Sequence, residues 1–195
     1  MNNMYKRSYY IVNSITGYRA IAALAMLLFL YYHQFGPFKW ILVISFLTDA
    51  VDGYLARRYS VISKLGSTLD SIADDLTVAV AIIGMIVFRP HFLKDEIAPV
   101  IALSALYFFQ FILALIRYHK ISSFHTYIAK VAAVLQCVFL VAFFFLPGPV
   151  YFLFYLTVII TLLDLVEEIA LVLILPQWRA NVKGLYWIIN KKIDV

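Results

Sequence analysis

The chain has 195 residues, 64% hydrophobic and 14% charged, with a formal net charge of +5. That length holds one ordinary domain, and the composition excludes a disordered chain and argues against a water-soluble globule. A protein of about 200 residues still exposes about 30% of its unfolded surface, more than so few polar residues can cover. A lipid environment removes the difficulty, and residues 1–195 read as a single all-α membrane domain.

In chain order, six stretches are long and apolar enough to cross a bilayer, which takes about 20 residues. They are 15–34, 38–55, 69–88, 97–118, 128–146 and 150–175. The expected breaks are a tight turn at Phe35-Gly36-Pro37, a loop opened by Arg89-Pro90-His91, and a turn at Pro147-Gly148-Pro149. The first span follows Lys6 and Arg7, but it is long for a signal core and lacks a small-residue cleavage site, so it reads as retained. The single cysteine, Cys137, sits in an apolar run and reads as a small buried hydrophobe. The two ends, 1–10 and 177–193, mix Tyr or Trp with Lys and Arg, as interfacial segments do.

Six spans put both termini on one side. Of the 16 basic residues, all but Lys39, Arg89 and Lys94 fall on that side. The asymmetry makes it the cytoplasmic face of a cell inner membrane. The positive charge then needs no nucleic acid, because a basic rim attracts anionic lipid headgroups or an anionic substrate.

The acids are concentrated in one place. Asp49, Asp52, Asp70, Asp74 and Asp75 all fall within the end of span two, a basic loop and the start of span three. Acids at membrane depth are costly and mark function. Asp49 and Asp52 are three apart and share a helix face; Asp70 and Asp74, four apart, share another. Two antiparallel helices can set these pairs opposite each other. Carboxylates pooled this way repel unless a cation lies among them, and hard Mg²⁺ or Mn²⁺ suits oxygen ligands. No His or Cys lies in the window, which argues against zinc. Gly53 and Ala56 leave the helix surface bare for close approach of a ligand, and Arg57 offers a fork suited to phosphate.

Asp49-x-x-Asp52-Gly53-x-x-Ala56-Arg57, eight further residues, and Gly66-x-x-x-Asp70-x-x-x-Asp74 resemble the full signature of the CDP-alcohol phosphotransferases. The resemblance implies six membrane helices with the signature across the second and third. It also implies transfer of a phosphatidyl group from CDP-diacylglycerol, or of a phospho-alcohol from a CDP-alcohol, to an acceptor hydroxyl with release of CMP. By matching position, Asp49, Asp52, Asp70 and Asp74 would hold one or two divalent metals. Asp74 would also serve as general base, and Gly53, Ala56, Arg57 and Gly66 would line the nucleotide pocket. Neighbouring acids raise the proton affinity of such a carboxylate and metals lower it. A homodimer is implied by the family alone.

Asn13-Ser14-Ile15-Thr16-Gly17-Tyr18-Arg19 resembles the Asn-x-x-Thr-x-x-Arg opening of the phosphatidylglycerophosphate and cardiolipin synthase branch, with Val12 where Pro often stands. Asn13 and Ser14 equally suit a helix cap. Arg117 and Lys130 flank the loop after span four, either as cytoplasmic anchors or as a grip for an acceptor phosphate. Asp164, Glu167 and Glu168 in span six either pair with Arg19, Arg117 or Lys130, or touch acceptor hydroxyls. Rival readings are a Mg²⁺-dependent intramembrane prenyltransferase and an ion-coupled transporter. The prenyltransferase fits less well because the four signature acids lie in one short stretch. The transporter fits less well because no broken helix or inverted repeat is seen. The reading is therefore a phosphatidyltransferase acting on CDP-diacylglycerol, with glycerol 3-phosphate the first choice of small alcohol acceptor. Inositol phosphate, serine and phosphatidylglycerol stay open.

Overall fold

The computed structural model describes residues 18–19, 21–59, 64–119, 124, 126–178 and 182–193, and within its helices the side chains of 52–59, 64–71 and 191–193 lie outside that description. Among the described residues every regular element is a helix. These are α1 (Ile21–Tyr31), α2 (Phe35–Tyr59), α3 (Lys64–Phe88), α4 (Pro90–Asp95), α5 (Ile97–Tyr118), α6 (Tyr127–Phe145), α7 (Tyr151–Ile174) and α8 (Leu185–Ile193). They group into two compact units, Met1–Lys94 and Asp95–Val195.

In the first unit each helix buries one stripe. On α1 it is Ala22, Ala23, Met26 and Leu30; on α2 Phe38, Leu42 and Ser45; on α3 Ala73, Thr77, Val80, Ala81 and Met85. Steps of three and four keep such residues on one face. Phe88 meets Phe35 and Phe38 edge-on or tilted, at 5.1 and 5.3 Å between centroids, and levels the start of α2 with the end of α3.

The break between α1 and α2 differs from the expected turn at Phe35-Gly36-Pro37. The chain turns instead at His33, whose φ of 52° is left-handed. Gln34 N–H donates to Phe29 O at 2.8 Å and His33 N–H to Leu30 O at 3.1 Å, which together close a Schellman motif. Because that motif ends α1, Phe35, Gly36 and Pro37 are released to form the first turn of α2, where a proline lacks nothing by having no N–H. Likewise, the loop expected at Arg89-Pro90-His91 is cut short: Pro90 opens α4.

In the second unit α7 is the central helix, packed against both α5 and α6. The Tyr155 hydroxyl donates to the Glu96 carboxylate at 2.8 Å near the start of α5, so α5 and α7 run parallel in level register. Gln136 Nε2 donates to Thr161 Oγ1 at 3.0 Å, and α6 runs back antiparallel after the Pro147-Gly148-Pro149 break. Thr126 caps α6, its hydroxyl accepting from Ala129 N–H at 3.1 Å. Ala114, Phe124, Leu171, Val172 and Leu175 form a core at the far end, with Trp178, Val182 and Leu185 packed on it. The segment expected at 177–193 thus holds α8; residues 1–10 and 15–17 lie outside the described residues.

By length and apolarity α5 and α6 can each cross a membrane. Only 11% of the apolar stretch of α5 is buried, and Ile101, Phe108, Ile112 and Ile116 face outward. A core helix of a water-soluble protein would hide these side chains, whereas lipid accepts them. At 24 residues α7 is long enough too, but it carries Asp164, Glu167 and Glu168.

Candidate active site

Each buried stripe of the first unit leads to a charged residue. One step beyond Ala23 and Ala22 on α1 stands Arg19; beyond Ser45 on α2 stands Asp49; beyond Thr77 on α3 stands Asp74. The run from apolar end to charge is eleven residues in all three cases, 30 to 19, 38 to 49 and 85 to 74. At 1.5 Å per residue that is about 16 Å of helix. Phe88 levels α2 with α3 at one end and so brings Asp49 and Asp74 to one level at the other.

The three charges meet there. Arg19 Nη1 lies 2.8 Å from Asp49 Oδ1, and Nη2 pairs with Asp74 Oδ1. The Arg19 side chain is 2% exposed, against 37% for Asp49 and 44% for Asp74. A buried guanidinium needs paired acceptors, and its planar fork can hold two carboxylates at once. The arrangement is layered, with the cation inside and the two acids partly exposed at the rim. Ser45 Oγ, one turn before Asp49, is buried with no hydrogen-bond partner among the described residues.

Asp52, Gly53, Ala56 and Arg57 lie on α2, and Gly66 and Asp70 on α3; their side chains are outside the described residues. Of the four acids expected to hold metal, the structure therefore describes Asp49 and Asp74 and brings them together across Arg19. Among the described residues no three His, Cys, Asp or Glu side chains form a metal cluster. The donor chemistry of the described pair fits a hard divalent cation: both are partly exposed carboxylates, from different helices, held on one guanidinium.

Arg117 and Lys130 stand in the second unit, on the last turn of α5 and the first of α6, both exposed. Lys130 Nζ lies 5.3 Å from the centroid of the Tyr127 ring. Among the described residues, Asp164 and Glu167 of α7 make no ion pair with either. Glu167 Oε1 instead accepts from Leu185 N–H at 2.9 Å and so fastens the start of α8. Asp164 Oδ1 and Glu167 Oε2 are buried with no hydrogen-bond partner among the described residues.

Arg19 is the residue that sequence reasoning placed least well, weighing it as the end of a motif and as a partner for span six. A usable signal was its phase. Positions 19, 22, 23, 26 and 30 form one helical face, so an arginine there points inward and must find acids.

The sequence model of the CDP-alcohol phosphatidyltransferase family matches residues 9–173 of the chain. The chain is 37% identical over 71 residues to a CDP-diacylglycerol–inositol 3-phosphatidyltransferase of Saccharomyces cerevisiae, covering 36% of this chain and 32% of that protein. It is 41% identical over 54 residues to a CDP-diacylglycerol–glycerol-3-phosphate 3-phosphatidyltransferase of Sodalis glossinidius, covering 24% and 30%. To the protein of the same name from Cereibacter sphaeroides it is 38% identical over 79 residues, covering 37% and 35%. The aligned stretches span about a third of the length of each relative. No solved structure matches the chain.

Proposed function

Since the chain belongs to the CDP-alcohol phosphatidyltransferase family, we propose that it transfers a phosphatidyl group from CDP-diacylglycerol to a small alcohol and releases CMP, with glycerol 3-phosphate as acceptor. The observation that carries this reading is the meeting of Asp49 and Asp74, from the two signature helices, on one buried guanidinium. Relatives named for the glycerol 3-phosphate acceptor support the choice of alcohol.

Asp49, Asp52, Asp70 and Asp74 would hold one or two divalent cations, Mg²⁺ or Mn²⁺. When bound, such ions neutralise charge on the donor pyrophosphate during phosphoryl transfer. The chain's own residues do the rest. Gly53, Ala56 and Gly66 leave the backbone open to the nucleotide, and the Arg57 fork binds a phosphate. Asp74 accepts the proton of the acceptor hydroxyl. The hydroxyl oxygen forms a new bond to the phosphatidyl phosphorus, and the bond from that phosphorus to the bridging oxygen breaks, its electron pair leaving with CMP. Arg117 and Lys130 bind the phosphate of the acceptor.

In this reading residues 1–195 act as one membrane domain of six spans, paired as a homodimer, with both termini and the site on the cytoplasmic side of the inner membrane. The basic asymmetry of the loops and the interfacial ends support that orientation.

The test is an acceptor screen. Purified protein in detergent receives CDP-diacylglycerol, Mg²⁺ or Mn²⁺, and in separate tubes glycerol 3-phosphate, inositol phosphate, serine or phosphatidylglycerol. CMP is expected with glycerol 3-phosphate. CMP with another acceptor alone would overturn the acceptor choice, and no CMP in any tube would overturn the transferase reading.

A further inference from the structure

We infer that Arg19 is the positioning residue of the acid site, a built-in counter-cation that holds Asp49 and Asp74 from the inside while their exposed faces stay toward an arriving metal. The inference rests on the reading that these acids bind a divalent cation.

Three observations carry it. First, exposure runs in one direction: the guanidinium is buried and both carboxylates are partly open, so a cation arriving from outside meets the acids before it meets Arg19. Second, the contacts are shared between two helices. Nη1 engages Oδ1 of Asp49 on α2 and Nη2 engages Oδ1 of Asp74 on α3, so one planar group fixes the separation and tilt of two carboxylates. Third, Arg19 is among the largest fully buried side chains, packed at the foot of the α1 stripe. Its departure on metal binding would leave a void and a desolvated charge with nowhere to go. Without Arg19, two carboxylates at one level repel and drift apart before a metal arrives. The segment before α1, which contributes nothing to the acid signature, thereby acquires a role in the site.

The experiment uses purified full-length protein in detergent, stripped of metal with EDTA. Two quantities are read: the metal-free unfolding temperature, and Mn²⁺ affinity by electron paramagnetic resonance titration. Arg19→Gln is expected to lower the unfolding temperature by about 10 °C, as breaking a buried pair does. It is also expected to weaken Mn²⁺ binding by about tenfold or more, as loss of a group that orients metal ligands does. Arg19→Lys restores the charge but not the fork, so it recovers part of the thermal loss and less of the Mn²⁺ affinity. Adding Asp49→Asn to Arg19→Gln removes a stranded carboxylate and raises the metal-free unfolding temperature above that of Arg19→Gln alone.

Mn²⁺ affinity unchanged or tighter in Arg19→Gln would overturn the inference, since Arg19 would then be a bystander or a competitor. Strictly additive thermal effects of the two substitutions would overturn it as well. If the unsubstituted protein binds no Mn²⁺, the metal reading of the function fails, and the thermal coupling alone then decides whether Arg19 positions the acids. If Arg19→Gln does not accumulate as folded protein, Arg19→Lys carries the same two readouts: wild-type Mn²⁺ affinity in that variant overturns the inference, and weakened affinity upholds it.

Discussion

The Tyr118 hydroxyl, on the last residue of α5, donates at 2.8 Å to the carbonyl of Leu175 and at 3.2 Å to that of Val172, at the end of α7. The last carbonyls of a helix have no partner inside it. Here they are served from a neighbouring helix by one bifurcated donor. With the Tyr155–Glu96 bond at the other end, it ties two parallel helices at both tips. Replacing Tyr118 by Phe keeps the ring against Phe124 and removes only the hydroxyl. The expected loss is about 1 kcal/mol, a fall of about 3 °C in the unfolding temperature measured in detergent. A variant as stable as the parent would show that water serves those carbonyls equally well.

Which parts of this architecture were legible beforehand follows from what each signal depends on. Span 97–118 matches α5 to the residue because its ends are punctuated by charge and by Pro99 near the start, and the expected spans two, three, five and six differ from α2, α3, α6 and α7 by five residues or fewer at each end. Apolar length decides such elements, and apolar length is a property of the sequence alone. The turn after α1 was misplaced because the obvious breakers, Gly36 and Pro37, follow the true turn, and His33 takes the left-handed position usually given to glycine. The partners of Asp49 and Asp74 were hidden for a different reason. Spacing along one helix says which residues share its face, but not which face of another helix meets them. Phe88 levels α2 with α3 and so sets Asp49 beside Asp74, and only the folded chain shows Arg19 reaching both.

The two acids separate binding from folding. Asp74→Asn keeps an oxygen that accepts from Arg19, so the clamp survives while the carboxylate charge and the base are gone. Asp70→Asn removes one of the expected metal ligands. Each variant is expected to fold and insert, and to release CMP at least about 10³-fold more slowly. EDTA should stop the parent enzyme, and Mg²⁺ or Mn²⁺ should restore it. Full activity in Asp70→Asn would contradict the metal assignment.

At His33 a substitution should stabilise. The residue sits at φ 52° and donates its N–H to Leu30 O, closing α1 in a conformation that costs a side-chain-bearing residue about 1 kcal/mol. His33→Gly keeps the backbone bond and removes the strain, at some cost in unfolded-state freedom. The net expectation is a rise of about 1–2 °C in the unfolding temperature. A fall would mean that the exposed imidazole makes a contribution larger than the strain.

Lys130 offers a test of acceptor recognition. Lys130→Met keeps an unbranched side chain and removes the charge that stands 5.3 Å from the Tyr127 ring centroid. If the ammonium grips the acceptor phosphate, KM for glycerol 3-phosphate rises about tenfold with little change in kcat, a loss of about 1.4 kcal/mol of uniform binding. KM for CDP-diacylglycerol should stay where it was. Equal rises in both would assign Lys130 to the nucleotide or to the membrane surface instead.

Gly184 controls how α8 is held. Its φ of 150° lies where side chains are strained, and a Cβ there would sit 3.0 Å from Glu167 Oε1 and 3.2 Å from the Trp187 ring. That same Oε1 accepts from Leu185 N–H at 2.9 Å, the bond that joins the start of α8 to α7. In Gly184→Ala the methyl group and the backbone strain act together: the carboxylate must yield, and the Leu185 N–H loses its acceptor. The combined cost should reach about 2 kcal/mol, drawn mostly from the local docking of α8. Limited proteolysis reads this directly. Cleavage near residues 182–185 should accelerate several-fold in the variant while α5, α6 and α7 stay protected, and the unfolding temperature should move much less than the cleavage rate. Unchanged cleavage would mean that packing of Leu185 and Ile188 on the core around Phe124 and Leu171 holds α8 without the Glu167 bond.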